Sequence, residues 1–235
     1  MTLTPSRAAE LEAALAAVRT RIAAGAREAG RSADEVTLVV VTKTYPASDV
    51  ELLARLGVRD VAENRDQEAS GKAEALARAD LAWHFVGQLQ TNKARSVARY
   101  AACVHSVDRP SLVAALSRAR AELGGPPLRC LLQVSLDGDP RRGGVEPKDL
   151  PALAEEVAAA PALALGGVMA VAPLGQDPRR AFEVLPALSA TVRSVDPAAG
   201  WISAGMSSDL EAALAWGATH LRVGSAILGR RPTVQ

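Results

Sequence analysis

Along the chain, short runs of β-branched and aliphatic residues alternate with longer stretches in which apolar residues recur every three or four positions. The first run, Val36-Thr37-Leu38-Val39-Val40-Val41-Thr42-Lys43, has seven β-branched or aliphatic residues in eight. It reads as a strand buried on both faces, the kind found in parallel sheets with helices around them. Its last residue is a cation. An ammonium at the exit of a dry strand is either solvated just past the core or held in a pocket that favours its neutral, nucleophilic form.

Ahead of this run, Thr4-Pro5 offers a capping hydroxyl and a proline at the first helical position, and Leu11, Leu15, Val18 and Ile22 repeat at helical spacing. They predict a long N-terminal helix over residues 1–30. After Lys43, strand and helix patterns alternate with little between them. Ser48 and Glu51 form a capping-box pattern for a helix through Leu56, and Val58 to Ala62 reads as the second strand. Strands three to eight are predicted at Leu81 to Val86, Ala101 to Val107, Leu128 to Leu136, Ala164 to Val171, Trp201 to Ala204 and Thr219 to Val223. Helices fall between them, one kinked at Pro186, and Asp137 to Pro147 is a long flexible loop rich in turn formers. Ser225 to Leu228 makes a last helical turn.

Eight strands, each followed by a helix or turn and with no composition break, predict a single (β/α)8 TIM-type barrel. The barrel occupies residues 36–229 of one domain, 1–235. A doubly wound sheet is the runner-up, but no switch point can be located for it. The composition is 49% hydrophobic and only 3% aromatic, so the core must be built from Ala, Leu and Val, which favours α/β over an all-β sandwich. Lys and Arg total 27 against 26 acidic residues, so no global field draws the protein to nucleic acid or an anionic membrane. Charges interrupt the N-terminal segment, and no long apolar stretch follows, which predicts a soluble, cytoplasmic protein. Cys103 and Cys130 lie in apolar runs and are expected as buried, reduced thiols.

In such a barrel, phosphate commonly binds at the loops after strands seven and eight. Here those loops read Ser203-Ala204-Gly205-Met206-Ser207-Ser208-Asp209 and Arg222-Val223-Gly224-Ser225. Each joins a glycine to hydroxyls at a helix start. Ser208 and Glu211 also fit a capping box, a purely structural use. Arg222 is a cation inside an apolar strand and either points outward to a carboxylate or inward near Lys43. A Schiff-base lysine, a phosphate cradle and a group facing a pyridine nitrogen together describe a pyridoxal phosphate site. Asn64, after strand two, could bond the cofactor ring or cap the helix from Arg65. His84 reads as a satisfied core histidine. The three histidines, His84, His105 and His220, have no metal-ligand spacing, so no metal site is expected.

With those residues assembled, the stretches VVVTKTYP, AENRDQE, WHFVGQLQTNK, HSVDR, GVMAVAP, ISAGMSSD and LRVGSAILG resemble the YggS/PROSC family of pyridoxal phosphate homeostasis proteins over nearly the whole chain. The resemblance implies a barrel like the N-terminal domain of alanine racemase, with pyridoxal 5'-phosphate carried as a Schiff base on Lys43. It further implies a phosphate held by Ser203, Met206, Ser207, Gly224 and Ser225, a pyridine nitrogen facing Arg222, and Asn64 near the ring. Ala62, Gln88, Ala204 and Arg142 depart from the family's common residues, and Arg142 puts in doubt any transferable lysine in the strand-five loop. The function implied is reversible cofactor holding and delivery to apo-enzymes by a non-catalytic monomer. The alternatives are an amino-acid racemase or decarboxylase of the same barrel class, expected to need a second domain after Gly229, and a sugar-phosphate aldolase-like barrel.

Overall fold

The computed structural model describes residues 6–229. Eight parallel strands close into a barrel in sequential order, β1 (Thr37–Val41), β2 (Asp60–Glu63), β3 (Ala82–Phe85), β4 (Ala101–Val107), β5 (Leu128–Gln133), β6 (Leu163–Met169), β7 (Trp201–Ser203) and β8 (His220–Val223). Closure is explicit at Val39, which registers with Asp60 of β2 on one side and Arg222 of β8 on the other. That excludes the doubly wound alternative, which has two free edges. Around the wall run α2 (Ala47–Arg55), α3 (Asp66–Ala75), α4 (Ala94–Tyr100), α5 (Pro110–Leu123), α6 (Leu150–Ala158), α7 (Pro178–Ala181), α8 (Leu185–Val195), α9 (Leu210–Ala215) and α10 (Ser225–Leu228), preceded by α1 (Arg7–Glu28). No helix among the described residues is long and apolar enough to cross a membrane.

Several local expectations are corrected. The proposed Thr4-Pro5 start lies outside the described residues; Ser6 caps α1, its hydroxyl accepting from the Ala9 amide at 3.3 Å. Ser48 sits inside α2, which begins after Pro46 without a side-chain cap. Glu211 is not part of a cap either: it takes two hydrogen bonds from Arg21 of α1, at 2.8 and 2.9 Å, and Asp209 is the residue preceding α9. At Pro186 there is a break in place of a kink. The chain passes from α7 through a tight turn at Phe182–Val184, and Pro186 falls in the first turn of α8, where its missing N–H is no loss.

Opposite faces of the strands differ in kind. His105 on β4 meets Ser203 on β7, and Arg222 on β8 reaches the Ala170 carbonyl beyond β6. Contacts between non-adjacent strands of a closed barrel must cross its interior, so these residues face the lumen. By the two-residue period, Val104, Phe85, Ile202, Leu221 and Val223 face outward, and all of them are buried in the main apolar cluster with the helices. Lower in the lumen, Trp201 stacks on His220 at 3.9 Å with the Arg129 guanidinium 4.1 Å from the indole centroid. The barrel is therefore filled, and its open space is at the rim.

Candidate active-site pocket at the C-terminal rim

Beyond the ends of β1, β7 and β8 lies a cavity of about 310 Å³ lined by Val41, Lys43, Tyr45, Met206, Ser207, Ser208, Arg222, Gly224 and Ser225. Parallel pairing of β1 with β8 brings Lys43 and Gly224 to the same edge. Glycine suits this close approach, since a Cβ at Gly224 would stand 3.0 Å from the Val41 carbonyl oxygen. Across the cavity, the Ser207 and Ser225 hydroxyls are 3.2 Å apart, and the Ala226 amide donates to Ser207 Oγ at 3.3 Å. The β7 loop turns through Gly205 at φ +91°, where a Cβ would collide with Ala213 and Leu221, and Asp209 Oδ1 then accepts from the Met206 amide at 2.5 Å.

The remaining walls are held from outside the barrel. Arg21 of α1 donates to the Ser207 carbonyl at 3.1 Å, and Arg7 donates to the Leu228 carbonyl at 3.0 Å and to Asp49 of α2 at 2.7 Å. The N-terminal helix thus buttresses both serine loops. Tyr45 is buried and its hydroxyl donates to the Gly229 carbonyl at 2.7 Å, tying the β1 loop to the end of α10. Thr44, directly after Lys43, has φ 71°, a rare conformation for a β-branched residue. Its amide is fixed by Glu68 Oε1 at 2.6 Å, and Glu68 also accepts from Lys72 Nζ at 2.6 Å. Backbone strain of about 1–3 kcal/mol is therefore stored beside the lysine and offset by α3. Behind it, fully buried Glu63 accepts from Thr42 Oγ1 at 2.6 Å and Lys72 Nζ at 2.7 Å, and burial still pushes its carboxyl pKa up.

Arg222 forms the floor. It is 5% exposed, with Nη1 donating to Ser203 O at 2.7 Å and Ser203 Oγ at 2.6 Å and Nη2 to Ala170 O at 2.9 Å. Burial lowers its pKa to about 10, opposed by Asp209, so it stays cationic at neutral pH. A lysine, two hydroxyls with a helix start, and a fixed cation thus meet in one cavity.

The alanine racemase N-terminal domain family matches residues 14–232. The pyridoxal phosphate homeostasis protein of Mycobacterium bovis is 46% identical over 245 residues, covering 97% of this chain and 95% of that one. The chain belongs to the pyridoxal phosphate homeostasis family. A solved relative, PipY of Synechococcus elongatus with PLP bound, superposes with a TM-score of 0.81 at 33% identity over 93% of this chain and all of that one. Alanine racemase from Corynebacterium glutamicum shares the fold, with a TM-score of 0.67 at 16% identity, but this chain covers only 62% of it.

Of the residues that the family resemblance pointed to, Lys43, Met206, Ser207, Arg222, Gly224 and Ser225 line the cavity. Ser203 and Asn64 are elsewhere. Ser203 is fully buried beneath Arg222, with its hydroxyl also 2.9 Å from His105 Nδ1. Asn64 does not cap α3, whose preceding residue is Arg65, and its backbone packs against Gly87, where a Cβ would lie 2.1 Å from the Asn64 carbonyl oxygen. Arg222 points inward, which settles the two orientations left open by its position in an apolar strand. Sequence reasoning missed Tyr45 and Arg21; Tyr45 was signalled by its place in VVVTKTYP, whereas nothing local marks Arg21. The three histidines have no metal-ligand spacing along the chain, but two of them meet a cysteine in space. Ligand atoms of His84, Cys103 and His105 lie within 4.8 Å of one another. Burial raises the Cys103 thiol well above its ordinary range and His84 and His105 share a hydrogen bond, so the group reads as packed core. The Asp137 to Pro147 loop is pinned rather than loose: Arg142 donates to Asp137 and to the Val171 and Ala172 carbonyls, and Gln88 and Gln133 donate to the Arg141 and Arg142 carbonyls.

Proposed function

We propose that this protein binds pyridoxal 5'-phosphate in the rim cavity as one barrel domain spanning 1–235, and takes part in intracellular cofactor homeostasis by holding it reversibly and passing it to apo-enzymes. When bound, the cofactor supplies an aldehyde that condenses reversibly with an amine. Lys43 supplies that amine. Ser207, Ser225, Gly224 and the Met206 loop would hold the phosphate, and Arg222 would face the ring nitrogen. The observation that carries the reading is the convergence of these groups in one cavity of about 310 Å³, roomy enough for a small aromatic phosphate. Asn64 and Ser203 enter the proposal as supporting positions, Asn64 near the ring side of the rim and Ser203 under the arginine.

Arg222, cationic at neutral pH, would keep a pyridine nitrogen placed opposite it unprotonated, which would weaken the ring as an electron sink and favour holding over catalysis. A racemase or decarboxylase role has no comparable support, because the likeness to alanine racemase carries the fold alone. The monomeric, cytoplasmic state belongs to the same proposal. The test is spectroscopic. Purified protein mixed with pyridoxal phosphate should develop a visible band that borohydride fixes onto Lys43, and Lys43→Ala should lose both. A wild-type protein that stays colourless and unlabelled would sink the reading.

A further inference from the structure

The lumen carries a line of buried polar groups that cofactor capture at the rim does not explain. From the bottom up, Asp60 Oδ1 lies 3.0 Å from His84 Nε2, His84 Nδ1 lies 2.8 Å from His105 Nε2, and His105 Nδ1 lies 2.9 Å from Ser203 Oγ. Ser203 Oγ then accepts from Arg222 Nη1 at 2.6 Å. His84, His105, Ser203 and Arg222 are all at most 5% exposed, whereas the Asp60 side chain, at 29%, reaches solvent. We infer that Asp60, His84, His105 and Ser203 are positioning residues: a one-way hydrogen-bond chain, with its direction set by the Asp60 carboxylate, that fixes the Arg222 guanidinium beneath the cavity.

The direction follows from counting donors. An ionised carboxylate only accepts, so the His84 Nε2 facing it must carry a proton. A neutral His84 then has a bare Nδ1 and must receive from His105 Nε2–H. That leaves His105 Nδ1 bare, so the Ser203 hydroxyl donates to it and turns its lone pairs to Arg222. Every group in the chain is then satisfied. Reversal with neutral rings would set a bare His84 Nε2 against the carboxylate. Reversal with a cationic His84 would bring the His105 Nδ1–H and Arg222 Nη1 both onto Ser203 Oγ and leave the serine proton without a partner in the chain. An unsatisfied buried donor is costly, and a second fully buried cation beside Arg222 is costlier. Burial first, then the neighbouring His84 and Arg222, hold His105 well below its usual range, in accord with a neutral ring.

The consequence at the rim is geometric. Arg222 is clamped by two backbone carbonyls and one hydroxyl, and the hydroxyl is the one clamp whose polarity can invert. With the chain reversed, the serine loses its role as a dedicated acceptor and the guanidinium slackens. The link to cofactor rests on the proposal that Arg222 faces the bound ring; the chain's direction does not.

The test uses the full chain with ¹⁵N-labelled histidine, with no cofactor added, read by long-range proton–nitrogen NMR near neutral pH. His84 and His105 should both be neutral with the proton on Nε2. A doubly protonated His84, or an Nδ1–H ring at either position, overturns the inference. Asp60→Ala removes the final acceptor and should mix the tautomers of His105, which is two bonds up the chain, and move the Arg222 side-chain nitrogen shifts. Asp60→Asn, whose amide oxygen can accept the same bond, should restore most of the wild-type pattern. An Asp60→Ala protein that folds with His105 and Arg222 signals unchanged also overturns it. Pyridoxal phosphate titration then reads the rim: the alanine variant should bind about tenfold more weakly, the loss expected for one charge-assisted hydrogen bond, while unchanged affinity alongside shifted tautomers would refute the link to Arg222. Wild-type tautomers as stated in a protein that takes up none of the added pyridoxal phosphate would support the chain and remove the cofactor reading instead.

Discussion

The outward and inward faces of the same eight strands are built on opposite principles. Outward, Val40, Val61, Phe85, Val104, Leu132 and Leu221 are buried against helices by dispersion and exclusion of water, contacts that are individually small and interchangeable. Inward, His84, His105, Ser203 and Arg222 are just as buried but satisfied one by one through named partners. A packed aliphatic wall tolerates a change of shape if volume is kept. A hydrogen-bonded lumen tolerates little, because each group depends on the direction of the next. One backbone with a two-residue period therefore supplies rigidity on one face and oriented chemistry on the other.

The sharpest way to break that contrast is to damage the wall. Phe85→Ala should cost about 3–5 kcal/mol in a urea melt while leaving cofactor capture by the folded protein unchanged, and Leu132→Met should cost less than about 1.5 kcal/mol. Loss of capture in folded Phe85→Ala would show that wall and lumen are not separable. The wall's exception is the buried Glu63–Lys72 pair under α3. Lys72→Met strands the carboxylate and should cost about 3 kcal/mol; adding Glu63→Gln should recover part of it, and a double variant no better than the single would show that the pair is not coupled.

Acid tests the lumen more gently. Burial holds His105 neutral well below its usual range and lowers His220 to about 3. Unfolded histidines bind protons below about pH 6.5, so unfolding takes up protons. The stability these two rings contribute is complete above that pH and is lost as pH falls toward their folded values, each adding up to about 1.4 kcal/mol per pH unit of slope. Glu63 acts in the opposite sense: its folded pKa is raised, so its contribution is present below about pH 4.3 and lost as pH rises through the folded value. Thermal melts between pH 6.5 and 4.5 should therefore show a falling Tm. A flat profile would mean that the two lumen histidines titrate as if in water.

Much of this was legible along the chain. Aliphatic runs such as residues 36–41 placed every strand within a few residues, because a strand covered by helices must be apolar outward. The rim pocket was half legible: Lys43 stands out as a cation ending such a run, and Gly224-Ser225 as a turn at a helix start. Ser203 lies beneath Arg222 and outside the cavity lining, which the motif ISAGMSSD could not show because it does not say which of its hydroxyls faces the cavity; the backbone turn at Gly205, φ +91°, separates them. The cap expected of Ser208 and Glu211 failed for a related reason, since Arg21, 190 residues away, claims the carboxylate.

By itself, then, the sequence determined the eight βα units, the lysine and the glycines, because these rest on local periodicity and on backbone conformations only certain residues adopt. The tertiary structure decided which way Arg222 points, that α1 braces the serine loops, and that Asp60, His84, His105 and Ser203 fall into one line. Those partners come from four different strands: neighbouring strand pairing aligns Asp60, His84 and His105, and barrel closure brings Ser203 of β7 across to them.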